Sequence, residues 1–276
     1  PTILVIFALL TAFFGYHAVQ IKPDASFERL IPLEHPYIKN MMEHRADLQN
    51  LGNSIRIAVA VKDGDIFTEE YMDLLEKVTD EVFFLNGVDR AGVQSIWTPN
   101  TRWVEVTEEG FQGGTVIPGG DGWDKQRLAS LEQNIQRSGE IGRLVADDFK
   151  STIISAPLLE KNPETGETLN YQAFGNSIEE KIREKYAADN PNVEIHVVGF
   201  AKKVGDLING IQSIGLFFLV TIGLTFVLLL LYSRCWSGTL TPIFASIIAV
   251  FWQLGILKLL GFGLDPYSVL VPFLVF

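Results

Sequence analysis

The sequence has very little cysteine and, outside its middle, very little charge. One cysteine among 276 residues cannot form an intrachain disulfide, so a disulfide scaffold is excluded. The formal net charge is −11, and nucleic-acid binding requires a basic face, so we expect no nucleic-acid partner. A hydrophobic content of 47% excludes a chain that is disordered throughout.

Several motifs of catalysis and ligand binding are also missing. The sequence contains no phosphate-binding G-x-x-x-x-G-K-[ST] and no G-x-S-x-G nucleophile elbow. The four histidines show no metal-ligand spacing, and they are His17, His35, His44 and His196. We therefore expect a protein that is not an enzyme and that carries no cofactor or metal.

The charge that is present lies almost entirely in the middle of the chain. Of 33 acidic residues, 32 lie between Asp24 and Asp206, and 20 of the 22 basic residues lie between Lys22 and Lys203. The middle therefore carries about −12 from these residues. Uncharged apolar flanks around an acidic block predict a membrane protein with a sizeable polar domain between its spans.

Four apolar stretches are candidates for membrane helices, because a span needs roughly 20 apolar residues. We predict spans at 1–21, 207–233 and 235–257, and the start of a fourth at 264–276. The fourth stretch is too short to cross a bilayer, so we interpret the chain as a fragment cut at both ends. Arg234 in the short loop after the second span predicts that this loop is cytoplasmic and that the domain at 22–206 is extracytoplasmic.

The first half of the polar domain predicts a β-α-β unit. Residues 54–62 alternate apolar and polar side chains, which is typical of a half-buried strand. Thr68 is a candidate N-cap for a helix that buries Tyr71 and the apolar residues following it at helical spacing. Residues 88–97 are predicted as a second strand.

The second half predicts a similar unit. Short strands are expected at 144–146 and 151–156, and Ser177 with Glu180 forms the pattern of a capping box. A final strand is expected around 193–197. We predict an α+β membrane protein whose domain holds two ferredoxin-like subdomains, or one split β-α-β layer. The glycine-rich segment 110–124 is expected to be a flexible loop or a subdomain boundary, and 37–51 an amphipathic helix.

This order of elements resembles the resistance–nodulation–division (RND) transporter superfamily. The resemblance is closest to its MMPL-type hydrophobe exporters, which are related to Patched and sterol-sensing proteins. It depends on one helix, a large outer domain and closely spaced helices, and most sharply on the segment 264–276 (LDPYSVLVPFLVF). The motif Ile31-Pro32-Leu33-Glu34-His35-Pro36 at the entry to the domain is similar too.

The resemblance implies a protein of two such repeats in a bacterial inner membrane, with its large domain on the periplasmic side. It implies export of lipids or other hydrophobic molecules by alternating access, driven by the proton gradient. It also implies relay residues in the middle of the fourth helix, which we expect beyond Phe276. A receptor with a ligand-binding outer domain is the alternative function, and homo-oligomerisation stays open.

Four residues are candidates for a transport pathway: Asp265, Tyr267, Ser268 and Gln253. Ionisable and polar groups within membrane segments are costly and often functional. Asp265 precedes a proline, so it could instead cap the fourth helix. Gln253 could instead form hydrogen bonds between helices.

Overall fold

A computed structural model describes residues 2–21, 32, 34–44, 53–108, 110–159, 161, 166, 169–264 and 268–276. The chain divides into two compact units. One unit comprises residues Pro1–Asn40 and Asp206–Phe276, and the other comprises Met41–Gly205. The first contains the apolar helices and the second contains both β-sheets.

The described elements follow one another in mixed order. The α-helices are α1 (Thr2–Val19), α2 (Pro36–Glu43), α3 (Glu69–Phe83), α4 (Lys125–Ser138), α5 (Tyr171–Ile178), α6 (Lys185–Asp189), α7 (Phe200–Ser233), α8 (Trp236–Leu259) and α9 (Val271–Val275). The strands are β1 (Ser54–Val61), β2 (Arg102–Thr107), β3 (Gly110–Thr115), β4 (Ser151–Pro157) and β5 (Val193–Gly199). A π-helical turn (Glu179–Glu184) joins α5 to α6, and 3₁₀ turns lie at Arg90–Gly92 and Ser268–Leu270.

The polar unit is built on a three-stranded sheet with β1 at its centre. The strand order is β4-β1-β5, and both neighbours run antiparallel to β1. Side chains alternate along β1, so Ile55, Ile57, Val59 and Val61 are buried on one face. The alternation predicted at 54–62 and the strand around 193–197 are therefore confirmed.

Helix α3 covers the buried face of this sheet. Thr68 caps it, because its hydroxyl accepts a hydrogen bond from the Tyr71 backbone N–H at 3.3 Å. The buried residues recur at helical spacing, as predicted, and include Tyr71, Leu74, Leu75, Val78 and Val82. The Tyr71 hydroxyl donates to Val59 O at 2.7 Å and receives the Thr152 backbone N–H at 3.1 Å, which joins the helix to two strands.

A second small layer consists of α4 and the β2–β3 hairpin. Asp124 caps α4 by accepting from the Arg127 N–H at 2.7 Å, and Gly139 ends it at a φ of 72°. Arg137 lies 3.4 Å from Glu105 (Nε to Oε2) and 5.5 Å from the centre of the Trp103 ring. These contacts hold one face of the hairpin on the helix.

Four predictions from local pattern were wrong. Residues 144–146 form no strand, because Val145 makes only isolated bridges, to Ile141 and Thr152. Residues 88–97 contain a 3₁₀ turn at Arg90–Gly92 and isolated bridges at Val88 and Gln94 instead of a continuous strand. The helix expected to start at Ser177 begins at Tyr171 and is capped by Asn170.

The last of the four is the glycine-rich loop predicted at 110–124, which is wrong in its first part because residues 110–115 form β3. A side chain at Gly113 would approach the Trp103 carbonyl to 2.8 Å, so glycine is what lets β3 pair closely with β2. The ferredoxin-like subdivision stays a prediction. Helix α2 covers 36–43 and is followed by a turn at His44, whereas residues 45–51 of the predicted amphipathic helix lie outside the described residues.

Three of the helices are long and apolar enough to cross a membrane: α1 (18 residues), α7 (34 residues) and α8 (24 residues). The length of α7 is about 51 Å at 1.5 Å per residue, which exceeds a hydrocarbon core of about 30 Å. It begins at Phe200, ahead of the span predicted at 207–233, and its first turns carry the buried residues Ala201 and Val204.

Helices α1 and α8 pack closely at one glycine and one tryptophan. A side-chain carbon at Gly255 would approach Phe14 Cα to 2.8 Å, so the two backbones nearly touch there. The Trp252 indole N–H donates to the Thr11 hydroxyl at 3.1 Å, and its ring lies 4.9 Å from that of Phe7. Small residues and buried polar contacts are the usual basis of helix packing in membranes.

Helix α7 contacts its neighbours through aromatic rings and hydroxyl groups. Phe218 lies 4.8 Å from Phe273 of α9, measured between ring centres. At the α7–α8 turn, Ser233 and Thr239 share a hydrogen bond of 2.9 Å between their hydroxyls. Pro272 lies in the first turn of α9, where its missing N–H leaves no helical hydrogen bond unmade.

We predict that Tyr71→Phe removes a stability loss that sets in above about pH 10. Burial raises the pKa of Tyr71, whereas its hydrogen bonds with Thr152 act in the opposite direction. Above that pH the unfolded state releases the phenol proton first, so the folded state holds more protons and the free energy of unfolding falls.

The measurement is chemical unfolding of the chain in detergent at neutral and alkaline pH, followed by circular dichroism. Tyr71→Phe should lower the free energy of unfolding by about 1–3 kcal/mol at neutral pH, because Val59 and Thr152 lose a buried partner. The control is Tyr37→Phe, whose ring is 71% exposed. An equal loss of stability at alkaline pH in wild type and Tyr71→Phe would contradict the prediction.

A second prediction concerns the α1–α8 contact. Gly255→Leu should destabilise the membrane helices, because the side chain would overlap the Phe14 backbone and separate α1 from α8. The cost should be about 1–3 kcal/mol, measured as the free energy of unfolding in detergent. Gly223→Leu on α7 is the matched control, since no heavy atom lies within 4 Å of the point that its first side-chain carbon would occupy. Equal stability of the two variants would contradict the packing.

Candidate functional site

Gln253 is the candidate pathway residue whose surroundings are most informative. It lies on α8 two residues before Gly255, which places it about 200° around the helix from the contact with Phe14. The side chain is half-buried, and its Oε1 has no hydrogen-bond donor among the residues that the structure describes. An amide oxygen that is removed from water without a donor costs free energy, so this group is available to accept one.

The other candidate residues lie around the start of the fourth apolar stretch. Ser268 is half-buried and opens the 3₁₀ turn that leads into α9. Asp265 and Tyr267 lie outside the described residues. The structure therefore places Gln253 and Ser268 in the same unit, on α8 and on the turn before α9.

Sequence reasoning missed a groove of about 840 Å³ along α8. Phe7 and Trp252 line one part of it, and small side chains at Ala245 and Ala249 give it depth. Thr241 also lines it, but its hydroxyl donates to the Ser237 carbonyl of its own helix at 2.8 Å. Apart from the Ser237 hydroxyl, the groove therefore presents a mostly apolar surface.

A sequence signal for this groove does exist. Small residues recur every four positions on α8, at Ser237, Thr241, Ala245 and Ala249, and residues four apart share a helix face. The signal indicates a shallow face, whereas the wall formed by Phe7 follows only from the packing of α1 on α8.

The polar unit has an exposed apolar patch on its hairpin. Val104, Val106 and Phe111 are 61%, 74% and 82% exposed. Val106 and Phe111 are directly paired across the two strands, and Val104 is two residues from Val106, so all three share one face. That face is opposite the one that Trp103 and Glu105 present to α4.

The charged side chains of the polar unit form local pairs. A bidentate contact from Arg143 to Glu140 raises the pKa of Arg143, and a hydrogen bond to Glu81 raises the pKa of Lys185. His196 lies 3.4 Å from Glu194 (Nε2 to Oε2) on β5. Among the described residues, no three His, Cys, Asp or Glu side chains come together as a metal site would require.

The comparisons with known proteins give one finding that supports a membrane protein. No family model matches the chain. The chain is similar to a protein of Methanocaldococcus jannaschii that is named as a membrane protein, with 23% identity over 274 residues. The match covers 95% of this chain and 64% of the length of that relative. The similarity and the three apolar helices support a membrane protein of mixed α and β structure.

Proposed function

We propose that the protein is a membrane transporter of the RND type that exports lipids or other hydrophobic molecules by alternating access. One observation carries this proposal. The folded α/β unit is inserted in the chain between two apolar helices, and α7 runs without a break from the end of β5 through its apolar segment. The chain thus passes from the polar domain into an apolar segment within one helix.

The substrate class follows from the groove along α8. Two of the polar groups in its lining are already satisfied, because Thr241 bonds to its own helix and the Trp252 N–H bonds to Thr11. A ligand that needs several hydrogen bonds would find few partners in this lining, whereas a hydrocarbon chain would lose none. We therefore propose an acyl chain as the part of the substrate that contacts α8.

The proposal also covers the orientation in the membrane, the polar residues of the pathway and the driving force. Arg234 supports a cytoplasmic α7–α8 turn and an α/β unit on the other side of the membrane. A bacterial inner membrane, with this unit in the periplasm, is proposed because the family resemblance implies it. Gln253, Ser268, Asp265 and Tyr267 are proposed to line the pathway. The driving force is proposed to be the proton gradient, as the family resemblance implies.

A receptor is the second candidate, and the hairpin patch is what favours it. An outer domain that exposes Val104, Val106 and Phe111 together has a surface suited to an apolar ligand or partner. Energy coupling separates the two functions, since a receptor binds its ligand without consuming a proton gradient.

The decisive test uses the full-length protein in liposomes that contain a fluorescent phospholipid in the inner leaflet. An imposed proton gradient should accelerate the appearance of this lipid in the outer leaflet, and a protonophore should abolish the acceleration. Empty liposomes under the same gradient are the control. A lipid flux that ignores the gradient would contradict proton-driven export, and saturable lipid binding without flux would favour the receptor.

We also predict that Gln253→Leu separates transport from stability. The buried Oε1 lacks a donor among the described residues, so leucine should leave the free energy of unfolding unchanged or raise it by about 1–3 kcal/mol. Lipid flux in the liposome assay should fall. Thr221→Val is the control, because the Thr221 hydroxyl bonds to Phe217 O of its own helix at 2.9 Å. A loss of stability with unchanged flux would assign Gln253 to helix packing.

A further inference from the structure

A continuous helix in the polar unit contacts α3 with one half and the first turns of α7 with the other. It consists of α5, the π-helical turn and α6, and we call the whole of it the bridge helix. Asn170 caps its first turn by accepting the Ala173 N–H at 3.0 Å. All of the contacts that it makes below lie within the unit Met41–Gly205.

The π-helical turn has a physical cause in the sequence. The large buried side chains of the bridge helix recur at every fourth residue: Phe174, Ile178, Ile182 and Tyr186. In an α-helix each step of four turns about 40° too far, so three steps would drift by about 120°. The wider π turn removes part of this drift and keeps all four side chains in the core.

The N-terminal half of the bridge helix is held by the first turns of α7 through close backbone contact. A side-chain carbon at Gly205 would approach Tyr171 O to 2.7 Å and Gly175 Cα to 3.4 Å. The Tyr171 ring also meets the Phe200 ring edge to face at 5.8 Å between centres. Glycine at both crossing points lets the two helices touch.

An ion pair adds to this contact at the start of the π turn. Lys202 Nζ lies 2.6 Å from Glu179 Oε1, and the Lys202 side chain is only 9% exposed. The approach does not meet the geometry of a hydrogen bond, so the attraction between the charges holds the pair. The other oxygen of Glu179 lies 2.7 Å from Arg183 Nε.

The C-terminal half is held by α3 instead. Lys185 Nζ lies 2.8 Å from Glu81 Oε2, and the Tyr186 hydroxyl donates to Lys77 O at 3.4 Å. The π turn thus lies between two separate sets of anchors. If the turn adopted α register, one half would rotate by about 100° against the other. Both sets of anchors could not then be kept.

We propose that the bridge helix is a two-position joint, in which the π turn keeps both anchors and a change to α register releases the first turns of α7. Lys202 is the positioning residue that favours the π register, because its ion pair with Glu179 stabilises the N-terminal anchor. Packed helices respond to such changes in discrete steps rather than by gradual bending. This proposal does not depend on which molecule the protein handles.

The test measures distances between spin labels in the whole chain in lipid nanodiscs. Cys235 is the only cysteine, so a Cys235→Ser background accepts pairs of labelled cysteines. The first pair is Asp73→Cys with Ala173→Cys, and it measures the distance from α3 to the half of the bridge helix before the π turn. The second pair is Asp73→Cys with Ala188→Cys, and it measures the distance from α3 to the half after the turn. None of the three positions is buried.

Deleting Glu180, an exposed residue of the π turn, should force the α register, and Glu180→Ala is its matched control. The deletion should displace the label at position 173 by about 8 Å, as expected for a rotation of about 100° at a radius of about 5.5 Å, and the first distance should change by up to that amount. The second distance should stay constant.

Lys202→Met should populate the same displaced distance, and Lys202→Arg should restore the wild-type one. An unchanged single distance in Lys202→Met would overturn the proposal. Movement of both pairs together in that variant would also overturn it, since the whole bridge helix would then have left α3. The Lys202 variants decide the matter even if the deletion variant does not fold.

Discussion

A hydrocarbon interior offers a polypeptide no hydrogen bonds, and this constraint governs most of what the apolar unit does. Its backbone is helical, because an α-helix satisfies its own N–H and C=O groups. Its hydroxyls follow the same rule: Thr11, Thr221 and Thr241 each donate to the carbonyl four residues earlier. Against this background the Oε1 of Gln253, which lacks a donor among the described residues, is conspicuous, because leucine would fill similar space at no polar cost.

The polar unit solves a different problem, that of burying one face of a small sheet. Local periodicity was enough to predict β1, α3 and β5, since period 2 and period 3.6 are set by the backbone alone. It failed at β3, where the strand is glycine-rich because the backbone of Trp103 leaves no room. It failed again near Ser177, where Ser177 and Glu180 have the spacing of a capping box although the helix has already begun at Tyr171.

The candidate site shows the same boundary between local and tertiary information. A lone amide in an apolar stretch identified Gln253, and that signal is local. The wall of the groove along α8 could not be predicted, because Phe7 and Trp252 are far apart in the chain and meet only once α1 packs at Gly255. The hairpin patch likewise needs the pairing of Val106 with Phe111, which depends on the register of β2 and β3.

Transporter and receptor make the same demand on this fold, since in both the state of the α/β unit has to reach α7. The first turns of α7 are held by the bridge helix, through glycine contacts and one ion pair. The four-residue spacing that buries its side chains also forces the π turn. The packing of these side chains in the core therefore places the π turn between the two sets of anchors. A joint at that place serves either function, so the difference between them must lie in the membrane helices, where Gln253 keeps an acceptor unused among the described residues.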